Sequence, residues 1–384
     1  MSVCKKGAIF TAIVRDLASD GRGILSHPDG LTVFVPGVWQ GEECRVRFIG
    51  LQNRIGIGEV VEIIQPSLHR VIPRCPHHGF VSGDCGGCPW QFVDYPAQLQ
   101  AKQNVVNKSF ARLDFYEVNP VWPSPQTYAF RNRTQLKTDG TQLGYQSANS
   151  HHIAAIQQCP VLTASNQATL QQLLDRLPND AWRAPPKRGK QRQWTSLNFD
   201  DGMTVDDVVV NQRLPFRQSH HQQNTAMRTW LQTQLHAVNA EEPVLELFCG
   251  SGNFTEVIAS NTRGRIVAVE GDQRAIDLLQ AKNLPRVECV VTNLFEATGF
   301  DKFCRRYPFK TLVLDPPRDG LKAFDTLLNK AVSIRKIFYI SCNVATMSRD
   351  IQRLTDRGFT INTVQPLDQN PHTPHVEVLV ALSI

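Results

Sequence analysis

The sequence has no run of residues long and apolar enough to cross a bilayer. No apolar segment follows Met1, where Lys5 and Lys6 come first and Asp16 soon after. The expectation is a cytoplasmic protein with neither a signal peptide nor a membrane span. Internal repeats and low-complexity segments are absent too, which sets aside solenoids and linker-dominated chains. Without a secretory signal, the ten cysteines do not read as a disulfide framework; reduced thiols serving metal sites or catalysis are expected. There is no strong excess of either charge. The 41 Lys and Arg against 35 Asp and Glu leave +6, compatible with an acidic partner but not demanding one. Nor does a third glycine follow Gly250-Ser-Gly252 at the offset of a dinucleotide-binding G-x-G-x-x-G.

What is present is 384 residues with 41% hydrophobic content, enough for two or three filled domains. They are organised around Val244-Leu-Glu-Leu-Phe-Cys-Gly-Ser-Gly-Asn-Phe254. This reads as a buried strand, a tight turn and a helix beginning at Thr255. Gly250 and Gly252 remove side chains where a ligand must lie against backbone. Further apolar runs end on chemistry-bearing residues: Arg265–Glu270 on an acid, Val287–Asn293 on an amide, Thr311–Leu314 on Asp315-Pro-Pro-Arg318, and Lys336–Cys342 on a cysteine. Open parallel sheets bind ligands beyond the carboxyl ends of their strands. Gly250, Glu270, Asn293, Asp315 and Cys342 therefore mark one site of an α/β Rossmann-like domain, and together they resemble the strand ends of an S-adenosylmethionine-dependent methyltransferase. Glu270 suits the two hydroxyls of a ribose.

Upstream, residues 1–66 carry short strand candidates at 8–14, 32–35, 43–48 and 55–61, with Gly- and Pro-containing turns between them. That pattern predicts a small OB-like β-barrel. Arg15, Arg22, Arg45, Arg47 and Arg54 lie on or beside these strands, giving a basic face of the kind that holds RNA; an ordinary solvated barrel is the plainer reading. Residues 67–215 form the predicted central α+β domain. In it, Cys85-x-x-Cys88 has paired-ligand spacing, Cys75 is a third thiol and Cys159-Pro160 offers a fourth. Zinc and iron-sulfur clusters take the same ligands, and His77 or His78 could replace one cysteine. A helix is predicted over 96–115 and another over 163–177, with strands near 128–137, 143–145, 153–156 and 205–210. Pro185 to Arg192 is a basic loop.

Cys342 precedes Asn343 and Thr346, residues that suit a helix start, where a thiolate is stabilised. Glu377 precedes a last apolar strand, Val378–Leu382. A cysteine nucleophile with a carboxylate base fits methylation of an unreactive pyrimidine carbon: the sulfur adds to carbon 6, and the carboxylate removes the proton from carbon 5.

With these motifs assembled (Phe216-x-Gln218, Leu247-Phe-Cys-Gly-x-Gly-Asn253, Asp315-Pro-Pro-Arg318, Ser341-Cys-Asn343 and His375-Val-Glu377) the chain resembles the RNA uracil-5-methyltransferase family along nearly its whole length. It is most similar to the 23S ribosomal RNA branch, which carries an N-terminal TRAM barrel and an iron-sulfur cluster. The resemblance implies Cys342 as nucleophile and Glu377 as base. It implies S-adenosyl-L-methionine contacts from Gln218, Phe248, Asn253, Glu270, Asn293 and Asp315. It implies a 4Fe-4S cluster on Cys75, Cys85, Cys88 and Cys159, a catalytic domain over 216–384, and a segment 91–121 that packs on it. The implied partner is RNA, with no membrane and no DNA, and the implied state is a monomer. Transfer RNA as substrate and a catalytically silent RNA-binding factor are the alternatives. The chain departs from the family pattern in the nine residues between Cys75 and Cys85, in Val344 where proline is usual, and in His220 where asparagine is usual.

Overall fold

The computed structural model describes residues 5–147, 152–184, 194–304, 306–331 and 333–384. The basic stretch 185–192 lies outside the described residues. Two compact units are formed, one of Met1–Ala101, Gln126–Leu214 and Asn370–His375, the other of Lys102–Pro125, Pro215–Gln369 and Val376–Ile384.

The first unit opens with six strands: β1 (Ile9–Ile13), β2 (Asp16–Leu17), β3 (Gly23–Ser26), β4 (Thr32–Val35), β5 (Glu43–Gln52) and β6 (Ile55–Gln65). They form a sheet in the order β1-β5-β6-β4-β3-β2. Alternation along β5 buries Cys44, Val46 and Phe48 against Phe10, Leu25, Val33 and Val35, and turns Arg45 and Arg47 outward. The basic face expected here is partly neutralised: Arg45 pairs with Glu62 at 2.9 Å, Arg47 with Glu59, and Arg22 with Asp20 at 2.6 Å.

Helix α1 (Tyr95–Ala111) follows. It stops four residues short of the expected end, where Asp114 turns the chain with φ +54°. A second sheet of the first unit holds β7 (Arg133–Thr138), β8 (Leu143–Gln146), β9 (Ile153–Ala155), β10 (Thr195–Asp200) and β11 (Val209–Val210), in the order β11-β10-β7-β8-β9. Leu170 and Leu173 of α2 (Ala164–Asp175) cover it, packing with Leu136, Leu197 and Phe199. The strand expected over 205–210 is mostly a 3-10 turn at Val205–Asp207, because the Thr204 and Asp207 side chains cap it reciprocally; only Val209–Val210 pairs.

The second unit is a seven-stranded sheet of β12 (Val244–Leu247), β13 (Ile266–Glu270), β14 (Val287–Val291), β15 (Thr311–Leu314), β16 (Lys336–Ser341), β17 (Thr360–Leu367) and β18 (Glu377–Ser383). Its order is β14-β13-β12-β15-β16-β18-β17. The five strands from β14 to β16 in that order run parallel, and β18 is antiparallel to both neighbours. Its helices are α3 (His221–Leu235), α4 (Thr255–Asn261), α5 (Gln273–Ala281), α6 (Phe324–Lys330) and α7 (Val344–Thr355). Every residue of β12 and β15 is buried, as expected of parallel strands covered on both faces. Strand order reverses between β12 and β15, which opens a crevice at their carboxyl ends. No described helix is long and apolar enough to cross a membrane.

Candidate active site

At the carboxyl end of β12 the backbone is bent hard. Phe248 holds φ +61°, rare for a residue with a side chain, and its ring lies 6.0 Å from that of Phe295. Gly252 has φ +91°, and a Cβ there would meet Leu279 Cδ1 at 2.4 Å, so only glycine fits. The turn presents the Gly250 N–H to Glu270 Oε2 at 3.1 Å, while the Gly271 and Asp272 N–H groups bond Glu270 Oε1 at 2.6 and 3.1 Å. Glu270 is thereby fixed at the end of β13.

The other residues expected at a cofactor are held by their neighbours. Asn253 exchanges amide hydrogen bonds with Asn224 of α3 at 3.0 and 2.9 Å, and its carbonyl accepts from Arg228. Asn293 accepts from the Phe295 N–H at 3.0 Å and donates to Glu296 at 2.8 Å. Gln218 Oε1 accepts from Gln369 Nε2 at 3.1 Å. Asp315, half-buried after β15, is pushed up to about 7 by burial and by the Glu270 carboxylate. Beneath the turn, buried Glu246 accepts from Thr255 Oγ1 at 2.6 Å, and burial raises it to about 8. His220, at the departure from the family pattern, is buried with its Nε2 2.7 Å from Ser124 Oγ.

Two of the expected site residues, Cys342 and Glu377, are placed by strand register. β16 and β18 are antiparallel with Ser341 opposite Val378. One step outward stand Cys342 and Glu377, brought side by side although 35 positions apart in sequence. Burial pushes the Cys342 thiol up to about 11; Glu377 and Asp315 add to the rise, and the hydrogen-bonding Arg318 guanidinium opposes it. Glu377 is only 5% exposed and is raised well above the usual carboxylate range by burial and by Asp315, again opposed by Arg318. The helix start is where the sequence placed it, with Asn343 accepting from the Thr346 N–H at 3.3 Å. Its effect on the sulfur is outweighed: the thiol is raised, not lowered, because burial and an adjacent acid exceed a helix end. Val344 is the first residue of α7 and is buried in its core. That is a position where proline is favoured but not required.

The four cysteines fall in the first unit. The Cys85 N–H bonds the His77 carbonyl at 2.7 Å, and His77 Nε2 accepts from the Gln157 N–H at 3.0 Å, tying the Cys75–Cys88 loop to the segment of Cys159. Cys75, Cys85 and Cys88 are each raised, by burial first and by Cys159 among other groups. Tyr145 Oη lies 3.8 Å from Cys159 Sγ. Among the described residues no group of three or more His, Cys, Asp or Glu converges as a metal-ion site. The donor set is nonetheless four thiols, with Cys159 close enough to disfavour ionisation of the other three, which is the chemistry a soft-metal group relieves.

Sequence reading undervalued Arg318, whose charge at a strand end was the available signal. It missed Asn224 and Gln369, which bond the side chains of Asn253 and Gln218, and Arg228, which bonds the Asn253 carbonyl and the Glu256 carboxylate.

A family model described as tRNA (Uracil-5-)-methyltransferase matches residues 198–384. A protein of Nitrosomonas europaea described as an uncharacterized RNA methyltransferase is 37% identical over 378 residues, covering 96% of this chain and 95% of its own length. The 23S rRNA (uracil(1939)-C(5))-methyltransferase RlmD of Edwardsiella ictaluri is 29% identical over 430 positions, covering 96% and 94%. Among solved structures, the tRNA (uracil-54, C5)-methyltransferase of Pyrococcus abyssi in complex with S-adenosyl-L-homocysteine matches with a TM-score of 0.70 at 21% identity, over 97% of this chain and 99% of that one; the likeness is one of fold. The sheet and its strand-end loops define a Rossmann-like methyltransferase class. Within it, the chain belongs to the RNA (uracil-5-)-methyltransferase family of S-adenosylmethionine-dependent enzymes.

Proposed function

We propose that this protein methylates carbon 5 of a specific uridine in 23S ribosomal RNA. The observation that supports the reading is the β16–β18 register, which pairs Ser341 with Val378, the neighbours of Cys342 and Glu377. Relatives named for 23S rRNA cover 94% of their own length against this chain, which supports ribosomal RNA. The family model and the Pyrococcus structure carry tRNA in their names, so transfer RNA is the second reading.

S-adenosyl-L-methionine, when bound, supplies the methyl group. Glu270 would accept the ribose hydroxyls, with Gln218, Phe248, Asn253, Asn293 and Asp315 completing the contacts. Cys342 loses its proton to solvent and its sulfur pair forms a bond to carbon 6 of uracil, driving ring electrons onto carbon 5 and its carbonyl. Carbon 5 becomes the nucleophile that receives the methyl group. Glu377 then takes the proton from carbon 5; that C–H pair restores the ring double bond and expels the thiolate. Residues 1–66 and 67–215 serve as RNA-binding barrel and central domain, and 216–384 as the catalytic domain, with 91–121 belonging to it in part, in a cytoplasmic monomer that binds neither DNA nor membrane.

Cys75, Cys85, Cys88 and Cys159 would hold a 4Fe-4S cluster. When bound it would cross-link the 75–88 loop to Cys159. Iron and sulfide analysis of anaerobically purified protein tests this; zinc in their place would overturn it. The function itself is tested by mapping 5-methyluridine by mass spectrometry in RNA from a strain lacking the gene. Loss at one 23S site is expected. Loss in transfer RNA would move the substrate, and loss nowhere in the presence of a Cys342→Ala allele that rescues the strain would favour a binding factor.

A further inference from the structure

Two glutamines meet at the carboxyl end of the second unit's sheet. Gln369 leaves that sheet just after β17, whose last residue, Leu367, lies opposite Glu377 in the β17–β18 register. It stands on a rigid support, because Asp368 before it is held through both backbone and side chain. The Asp368 N–H donates to the Trp122 carbonyl at 2.9 Å, its carbonyl accepts from Gln223 Nε2 at 2.9 Å, and its carboxylate pairs with buried Lys102 at 2.5 Å. Gln218 precedes α3, whose start is fastened in its turn: Gln223 makes the bond just given, and His220 Nε2 lies 2.7 Å from Ser124 Oγ. Between these supports Gln369 Nε2 donates to Gln218 Oε1 at 3.1 Å. The bond sets the direction of the Gln218 amide, with its carbonyl toward Gln369 and its NH2 on the other branch. Gln369 is only 2% exposed, and its own Oε1 is buried with no hydrogen-bond partner among the described residues. An unpaired buried carbonyl destabilises a fold, and an apolar side chain of similar length avoids that penalty. The amide at this position therefore serves something other than stability.

We propose that Gln369 is a positioning residue for the cofactor: it holds the Gln218 amide so that Gln218 meets S-adenosylmethionine as a hydrogen-bond donor. The inference rests on the reading of Gln218 as a cofactor contact and deepens it by naming what that contact recognises. An NH2 group bonds acceptors. On this cofactor those are the carboxylate, the ribose oxygens and the ring nitrogens; the ammonium and sulfonium groups are excluded. An amide able to turn over would offer its carbonyl as readily as its NH2, and binding would have to order it. Gln369 removes that choice before the ligand arrives. Being buried, it acts on the ligand only through Gln218.

The test is titration calorimetry of the whole, RNA-free chain with S-adenosyl-L-methionine, run beside denaturant unfolding. Gln369→Met keeps the unbranched length of the side chain and removes the donor. It should weaken cofactor binding by about three- to tenfold, the range one oriented hydrogen bond contributes. Its unfolding midpoint should equal or exceed that of wild type, since the unpaired carbonyl is gone. Made in a Gln218→Leu background, the same substitution should change affinity no further. Unchanged affinity in Gln369→Met overturns the proposal. A lowered midpoint, or a variant too unstable to purify, makes the glutamine structural and overturns it equally. An additive loss in the double variant does the same, because Gln369 would then act other than through Gln218. The reading beneath it fails separately: if Gln218→Leu alone binds the cofactor as wild type does, Gln218 is no cofactor contact.

Discussion

Glu377 makes ionisation of the Cys342 thiol harder, and the proposed reaction needs both groups deprotonated. Raised pKa values on both groups mean that the reactive fraction at neutral pH is small and grows as pH rises. The single-turnover rate should therefore climb with pH across the neutral to mildly alkaline range, by about tenfold per pH unit where thiolate formation limits. A flat profile in rapid-quench measurements would remove the burial argument. Glu377→Gln separates the two roles. It takes away the charge that opposes the thiolate, so addition to carbon 6 should proceed, but it leaves nothing to remove the carbon 5 proton. A covalent protein–RNA adduct should accumulate and appear as a shifted band on a denaturing gel, while Cys342→Ala gives neither adduct nor turnover yet still binds RNA. Absence of the band in Glu377→Gln would deny Glu377 the role of base.

At the scale of elements, the strands that carry the site were legible because β12, β13, β15 and β16 are buried, mostly apolar runs that lead into a glycine, an acid or a cysteine. β17 was not, because Thr360-Ile-Asn-Thr-Val-Gln-Pro-Leu367 mixes polar residues with a proline. Proline is tolerated there since β17 ends the ladder of named strands, with Val118 and Trp122 bridging Val364 and Leu367 beyond it. β10 escaped notice because only Leu197 and Phe199 stand out in a short polar run. Nor could sequence show that Lys102 of α1 is fully buried and paired at 2.5 Å with equally buried Asp368, which follows β17. Removing one partner of such a pair leaves an uncompensated buried charge. Lys102→Met should lower unfolding stability by about 3–5 kcal/mol in denaturant titration, and Lys102→Met combined with Asp368→Leu should recover much of it. Equal destabilisation by the single and double variants would mean that the pair's charges do not set the cost.

For the whole molecule, a net charge of +6 is a weak guide to where RNA lies, since charge counts where it is not already answered. Arg45 and Arg47 point out from β5, yet Glu62 and Glu59 of β6 pair with them. Exposed pairs of this sort contribute little to stability, about 0–1 kcal/mol, so the acids can be removed at small cost to the fold. If this sheet face meets RNA, Arg45 and Arg47 must exchange these carboxylates for phosphates on binding, and the acids act as competitors. Replacing both, Glu59→Gln with Glu62→Gln, should then tighten RNA binding and steepen its salt dependence. Each further phosphate neutralised by an arginine adds about 0.9 to the log–log slope for duplex and about 0.7 for single strands. If the face lies away from RNA, affinity and slope will both match wild type, and Arg45 and Arg47 will have no part in recognition.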